Sequence, residues 1–148
     1  MNVALSAFAL SFALALPAAA AAPTPEESEG IRRAALDYAE SWYAGDPAQM
    51  EKALHPDLAK RIVRPGREGG RARLEHMGAL QLVQGVRGGF GKNTPAGQQL
   101  KDVTILDVTG NAATVKLVMS GWVDYLHVAR LDGQWKIVNV LWELTNPR

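Results

Sequence analysis

From Val103 to Leu144 apolar and polar residues alternate in four short runs, Val103–Val108, Ala113–Met119, Tyr125–Leu131 and Trp135–Leu144. A period of two is the signature of strands that bury one face. Gly110-Asn111 and Asp132-Gly133 separate two pairs of runs, and such dipeptides accept the positive φ of tight hairpins. Met119–Asp124 forms the third connection. Consecutive strands joined this way make an antiparallel meander, so about a third of the chain is committed to one sheet.

Ahead of the meander the period is helical. Thr24-Pro25-Glu26-Glu27 is a capping box with Pro at the first helical position, and Ile31, Ala35, Tyr38 and Trp42 continue one apolar stripe to a terminating Gly45. Asp46-Pro47 opens a shorter helix, with Met50, Ala53 and Leu54 inward, which ends near His55 because the residue before Pro56 avoids the α region. Leu58–Val63 reads as a short strand closed by Arg64-Pro65-Gly66. Arg71–Gln84 is predicted as a third helix with Leu74, Met77, Leu80 or Gln81, and Val83 facing the core, and Gly85–Gly97 as a glycine-rich loop. Helices followed by a meander give the α+β class, with three N-terminal helices packed against an antiparallel sheet.

A two-residue turn at Asp132-Gly133 pairs Leu126 with Asn139 and Asp124 with Leu141. One face then holds Asp124, Leu126, Val128, Trp135, Ile137, Asn139 and Leu141. The other holds Tyr125, His127, Lys136, Val138, Val140 and Trp142. Both faces are apolar over the last strand, so the outer one is expected to meet a second copy of the chain in a homodimer.

The first segment, Met1–Ala22, has no charged side chain; an apolar run Val3–Leu16 is broken by Pro17 and followed by small residues. This is the grammar of a secretory signal peptide cleaved after Ala20 or Ala21, which predicts a periplasmic or secreted domain over residues 24–146 with no stable membrane anchor. With 16 Lys and Arg against 15 Asp and Glu, the net charge of +1 does not suit a general nucleic-acid binder. There is no cysteine, hence no disulfide, thiol nucleophile or thiolate site. The three histidines, His55, His76 and His127, lack metal-ligand spacing, and no metal or cofactor is expected. Gly85–Thr94 fails as a phosphate loop, because Asn93 stands where Ser or Thr is required and a helix precedes it. Lys60, Arg61, Arg64, Arg67, Arg71 and Arg73 form a cationic run with no interleaved aromatic, which reads as a solvated segment.

Three segments stand out together: Asp37-Tyr38 through Trp42 to Gly45-Asp46; Ala53-Leu54-His55-Pro56-Asp57-Leu58; and Asp124-Tyr125-Leu126-His127 through Gly133-Gln134-Trp135 to Trp142-Glu143. Together they resemble the putative lumazine-binding family of the NTF2-like (SnoaL-like) superfamily, over about residues 24–146. The resemblance implies a cystatin-like cone, a curved antiparallel sheet wrapped around a long helix and enclosing a pocket. It also implies either a small hydrophobic or aromatic ligand or, as elsewhere in the superfamily, isomerase, dehydratase or cyclase chemistry. Candidate ligand contacts are Tyr38 and Trp42 as an aromatic wall, with Asp124, Asn139 and His55 as polar groups. His55 and Asp124 form the nominated catalytic pair, an acid and a base on either side of a substrate. The third reading is a dimeric interaction module without a ligand. A binding role needs a hollow on the order of 300 Å³ for an ordinary ligand.

Overall fold

The computed structural model describes residues 22–67 and 70–145. The expected signal peptide lies, but for Ala22, outside the described residues. Helix α1 spans Pro25–Ala44; the Thr24 hydroxyl accepts from the Glu27 amide, Glu27 answers at the Thr24 amide, and Gly45 closes the helix at φ 68°. Helix α2, Pro47–Ala53, is capped by the Asp46 carboxylate, which accepts from the amides of Ala48 and Gln49. Losing such a cap costs about 1 kcal/mol, so Asp46→Ala should lower the urea midpoint by that equivalent.

The chain then runs β1 (Leu54–Arg64), β2 (Arg73–Gly78), α3 (Ala79–Arg87), a 3-10 turn at Ala96–Gln98, β3 (Lys101–Thr109), β4 (Ala112–Met119), β5 (Trp122–Leu131) and β6 (Gln134–Leu144). The meander is as its turn residues require. Only Ser120-Gly121 joins β4 to β5, with Gly121 at φ 98°, so Asp124 sits inside a strand rather than in the connection.

Two expectations about the first half are corrected. The stretch read as a single third helix, Arg71–Gln84, is a strand followed by a helix. β2 pairs antiparallel with β1 from Ala59 opposite Gly78 to Arg64 opposite Arg73, and Gly78, extended at φ −89° and ψ 173°, separates β2 from α3. The helical spacing of Leu74 and Met77 is outweighed by the ladder that Pro65-Gly66 allows the chain to turn back and form. His55 does not end a helix either: α2 stops at Ala53, and His55 lies in β1.

The six strands form one sheet in the order β2-β1-β6-β5-β4-β3. It is not wholly antiparallel, because β1 runs parallel to β6. Only α1 and α2 precede the sheet, and α3 lies between β2 and β3. Helix α1 packs across β3, β4, β5 and β6 while α3 packs on β1 and β2, so the helices occupy one face. Alternation supplies that face: Ala113, Val115, Leu117 and Met119 from β4, and Leu126 and Val128 from β5, are buried against Ile31, Ala35 and Tyr38 of α1.

The turn at Asp132-Gly133 is two residues long, with Leu131 opposite Gln134, yet the expected pairing fails further along. Val128 faces Ile137 but His127 faces Asn139, so Val138 is an extra residue, a β-bulge. The bulge shifts the alternation by one. Beyond it Val140 and Trp142 turn to the helices, opposite Leu126 and Asp124, whereas Asn139 and Leu141 turn outward beside His127 and Tyr125.

Candidate functional site

A hollow of about 240 Å³ lies between α1, α3 and the inner face of β1, β2, β5 and β6. Helix α1 contributes Tyr38 and Trp42, one turn apart on its buried stripe. Strand β5 gives Trp122, β6 gives Trp142 and Leu144, and β2 gives Met77, while Gln81, Leu82, Gly85 and Phe90 border it from α3 and the following turn. The rings meet edge to face: Trp42 and Trp122 at 5.6 Å, Trp122 and Trp142 at 6.5 Å, and Trp42 and Phe90 at 6.3 Å between centroids. Such an arrangement matches the positive edge of one ring to the negative face of the next.

One charged side chain reaches this apolar space. Lys60 shares the inward side of β1 with Leu58 and Ile62 and is only 5% exposed. Its ammonium donates to Asp124 Oδ1 at 2.5 Å and to the Tyr38 hydroxyl at 2.9 Å, and lies 4.8 Å from the Trp142 ring centroid. Asp124, wholly buried, receives a second bond on Oδ2 from Trp122 Nε1 at 3.1 Å. The buried charges are thus paired and hydrogen-bonded, as a low-dielectric site demands.

Burial pushes the Tyr38 phenol well above its usual 10.0, and the charge and hydrogen bonding of Asp124 add to it. Burial also pulls Lys60 below 10.5, opposed by the attraction of Asp124. The two groups act oppositely on stability. Above about pH 10 an unfolded tyrosine loses a proton that folded Tyr38 keeps, so its contribution falls as pH rises. Between the lowered Lys60 value and 10.5 the unfolded chain holds the lysine proton more tightly, so that contribution rises with pH. Tyr38→Phe should therefore flatten the alkaline loss of stability above about pH 10 while costing about 1–3 kcal/mol near neutrality, where Lys60 loses an acceptor. Urea unfolding across the alkaline range checks both limbs.

The expected contacts divide. Tyr38 and Trp42 line the hollow. Asp124 sits one step behind its floor, reaching it through Lys60. Asn139 is on the outer face, bordering a depression with Arg61, Tyr125, His127 and Leu141, because the bulge at Val138 reverses its side. His55 borders a separate cleft with Glu51, Pro56, Leu80 and Val83, and its Nδ1 accepts from the Asp57 amide. His55 and Asp124 therefore line no common pocket.

Lys60, Trp122, Trp142 and Phe90 were not among the expected contacts. Lys60 has a readable signal, since Leu58, Lys60 and Ile62 alternate, although it also opens the cationic run. Arg64 and Arg73 of that run pair with Glu75 and hold its carboxyl below the usual range, mainly through their hydrogen bonds. Among the described residues no group of three or more His, Cys, Asp or Glu is placed to hold a metal ion, and no helix is long and apolar enough to cross a membrane.

A family profile described as putative lumazine-binding matches residues 26–143. Among solved structures, an NTF2-like protein of unknown function from Methylobacillus flagellatus superimposes with a TM-score of 0.65 at 19% identity, covering 86% of this chain and 98% of that one. Another from Shewanella baltica gives 0.61 at 17% identity, over 86% and 100% of the two chains. A ketosteroid isomerase-like protein from Erwinia carotovora atroseptica gives 0.58 at 14% identity, over 84% and 100%. Likeness at such identity establishes the shared fold and no shared reaction. No curated protein matches the sequence.

Proposed function

The chain belongs to the putative lumazine-binding family of NTF2-like proteins, and from that premise we propose that its cone is a receptor for a small, flat, uncharged aromatic molecule. The observation that carries this reading is the hollow of about 240 Å³, walled by aromatic rings, whose one charge is already neutralised by Asp124. That volume falls under the ~300 Å³ at which drug-sized sites begin. It exceeds the ~150 Å³ cavity that takes up benzene, so it suits one or two fused rings. A ligand anion would compete with Asp124 for the same ammonium, and a ligand cation would find no free carboxylate. A polar edge on the guest can instead bond to the Tyr38 hydroxyl or to the remaining ammonium proton.

Naphthol tests the reading. Its arrival should quench tryptophan emission, because Trp42, Trp122 and Trp142 all border the space. Gly85→Leu should abolish the quenching by filling the hollow. The added side chain first meets the ring of Phe90, 2.9 Å from the new Cβ, and Phe90 is 66% exposed and free to move aside. Replacing a helical glycine also favours α3 by up to about 1 kcal/mol, so the variant should stay folded. Unchanged quenching in Gly85→Leu, or none in the wild type, refutes the receptor.

The same reading keeps the domain outside the cytoplasm, supported by the leader Met1–Ala22 alone. Amino-terminal sequencing of protein recovered from its source should begin at Ala21 or Ala22. A chain that begins at Met1 overturns export.

A further inference from the structure

A receptor for uncharged aromatic molecules has no need of a lysine in its floor. Lys60 stands between Leu58 and Ile62 on the buried side of β1, where another apolar residue would complete the core without desolvating a charge. Its amine is nevertheless held at the hollow by Asp124 Oδ1 on one side and the Tyr38 hydroxyl on the other, with the Trp142 face 4.8 Å away. An amine, a carboxylate that can take its proton and a phenol that can relay one are the groups that carbonyl condensation requires.

We propose that Lys60 binds its guest covalently, condensing reversibly with a small aromatic aldehyde seated against the tryptophan wall. This rests on the reading of the hollow as an aromatic receptor. The ammonium first passes a proton to Asp124, and the freed lone pair forms a C–N bond to the aldehyde carbon while the carbonyl π pair moves to oxygen. Tyr38 relays a proton from nitrogen to that oxygen, giving the carbinolamine. Asp124 then returns its proton to the hydroxyl, the C–O bond breaks, water leaves, and nitrogen closes the C=N bond as an iminium. The sum is ammonium plus aldehyde going to iminium plus water, with Asp124 ionised at both ends. The positive charge beside Asp124 is therefore conserved, and the ion pair survives condensation. Burial favours the first step by disfavouring the ammonium, and it holds Tyr38 in the protonated form that the relay uses.

The test is reductive capture of naphthaldehyde with cyanoborohydride near neutral pH, followed by peptide mapping. Lys52, Lys92, Lys101, Lys116, Lys136 and the amino terminus serve as internal controls. Lys60 should be alkylated at least about tenfold faster than any of them, because the hollow holds aldehyde and amine together. Excess naphthol, which lacks the carbonyl, should protect Lys60 and leave the others unchanged; this arm needs no variant. Lys60→Arg, which keeps the charge but cannot condense, should lose the fast adduct. Alkylation spread evenly over the exposed amines, or a Lys60 adduct that naphthol does not suppress, overturns the proposal. Quenching by naphthol without capture at Lys60 overturns it and leaves the receptor standing; absence of both removes the receptor as well.

Discussion

Lys60→Met should unfold at a urea midpoint equivalent to a loss of about 3–5 kcal/mol, the usual cost of leaving a buried partner charge unpaired. Asp124 is wholly enclosed, and with Lys60 gone its Oδ1 loses the ammonium while Oδ2 keeps the Trp122 indole N–H. The double variant Lys60→Met, Asp124→Val should recover most of that loss, because desolvating the pair consumes much of the attraction between its members. Recovery should stop short by about 1 kcal/mol for each polar group then left alone, the Trp122 N–H and the Tyr38 hydroxyl. If the single variant were as stable as wild type, the ammonium would not be bound where it is described. The comparison also separates structure from use: the double variant keeps the fold and removes the amine.

Gly91→Val should produce the second large effect. A Cβ at Gly91 would lie 2.2 Å from the Trp42 carbonyl oxygen and 2.4 Å from its ring, so the turn after α3 must lift away from α1. Overpacking of this kind costs about 1–3 kcal/mol, and a backbone obstacle that cannot rotate aside places Gly91 at the upper end. Gly97→Ala is the matched control: nothing stands within 4 Å of its added Cβ, and its midpoint should stay within about 0.5 kcal/mol of wild type. Naphthol binding should weaken in Gly91→Val and not in Gly97→Ala, because the edge-to-face contact of Phe90 with Trp42 depends on that close approach.

What the sequence makes legible is what short-range chemistry decides. Thr24, Glu27 and Gly45 mark the ends of α1, and Gly110, Asp132 and Gly133 mark two hairpins, because capping and positive φ are properties of one or two residues. β2 is not legible in this way. Arg73–Gly78 has too few apolar residues to reveal a period of two, and it is a strand because β1 offers it a ladder. Gly78 carried the available hint, an unfavourable residue in mid-helix. The extra residue at Val138 is invisible for a different reason. Apart from Asn139 the residues around it, Ile137, Val140, Leu141 and Trp142, are apolar whichever face they take, so a one-step shift leaves little mark on the pattern. Of the expected contacts, Tyr38 and Trp42 came from a helix whose face was certain, whereas Asn139 lay beyond the bulge and His55 beyond a misplaced helix end.

That extra residue also sets how the gene can vary. Loss of one codon at Val138 would let Asn139 follow Ile137 directly and still pair with His127, so the ladder would close without the bulge while Val140 and Trp142 kept the hollow. Loss of one codon in the span between α3 and β3 reverses nothing. Paralogues that lack only Val138 should therefore keep the same wall and hold the same guests.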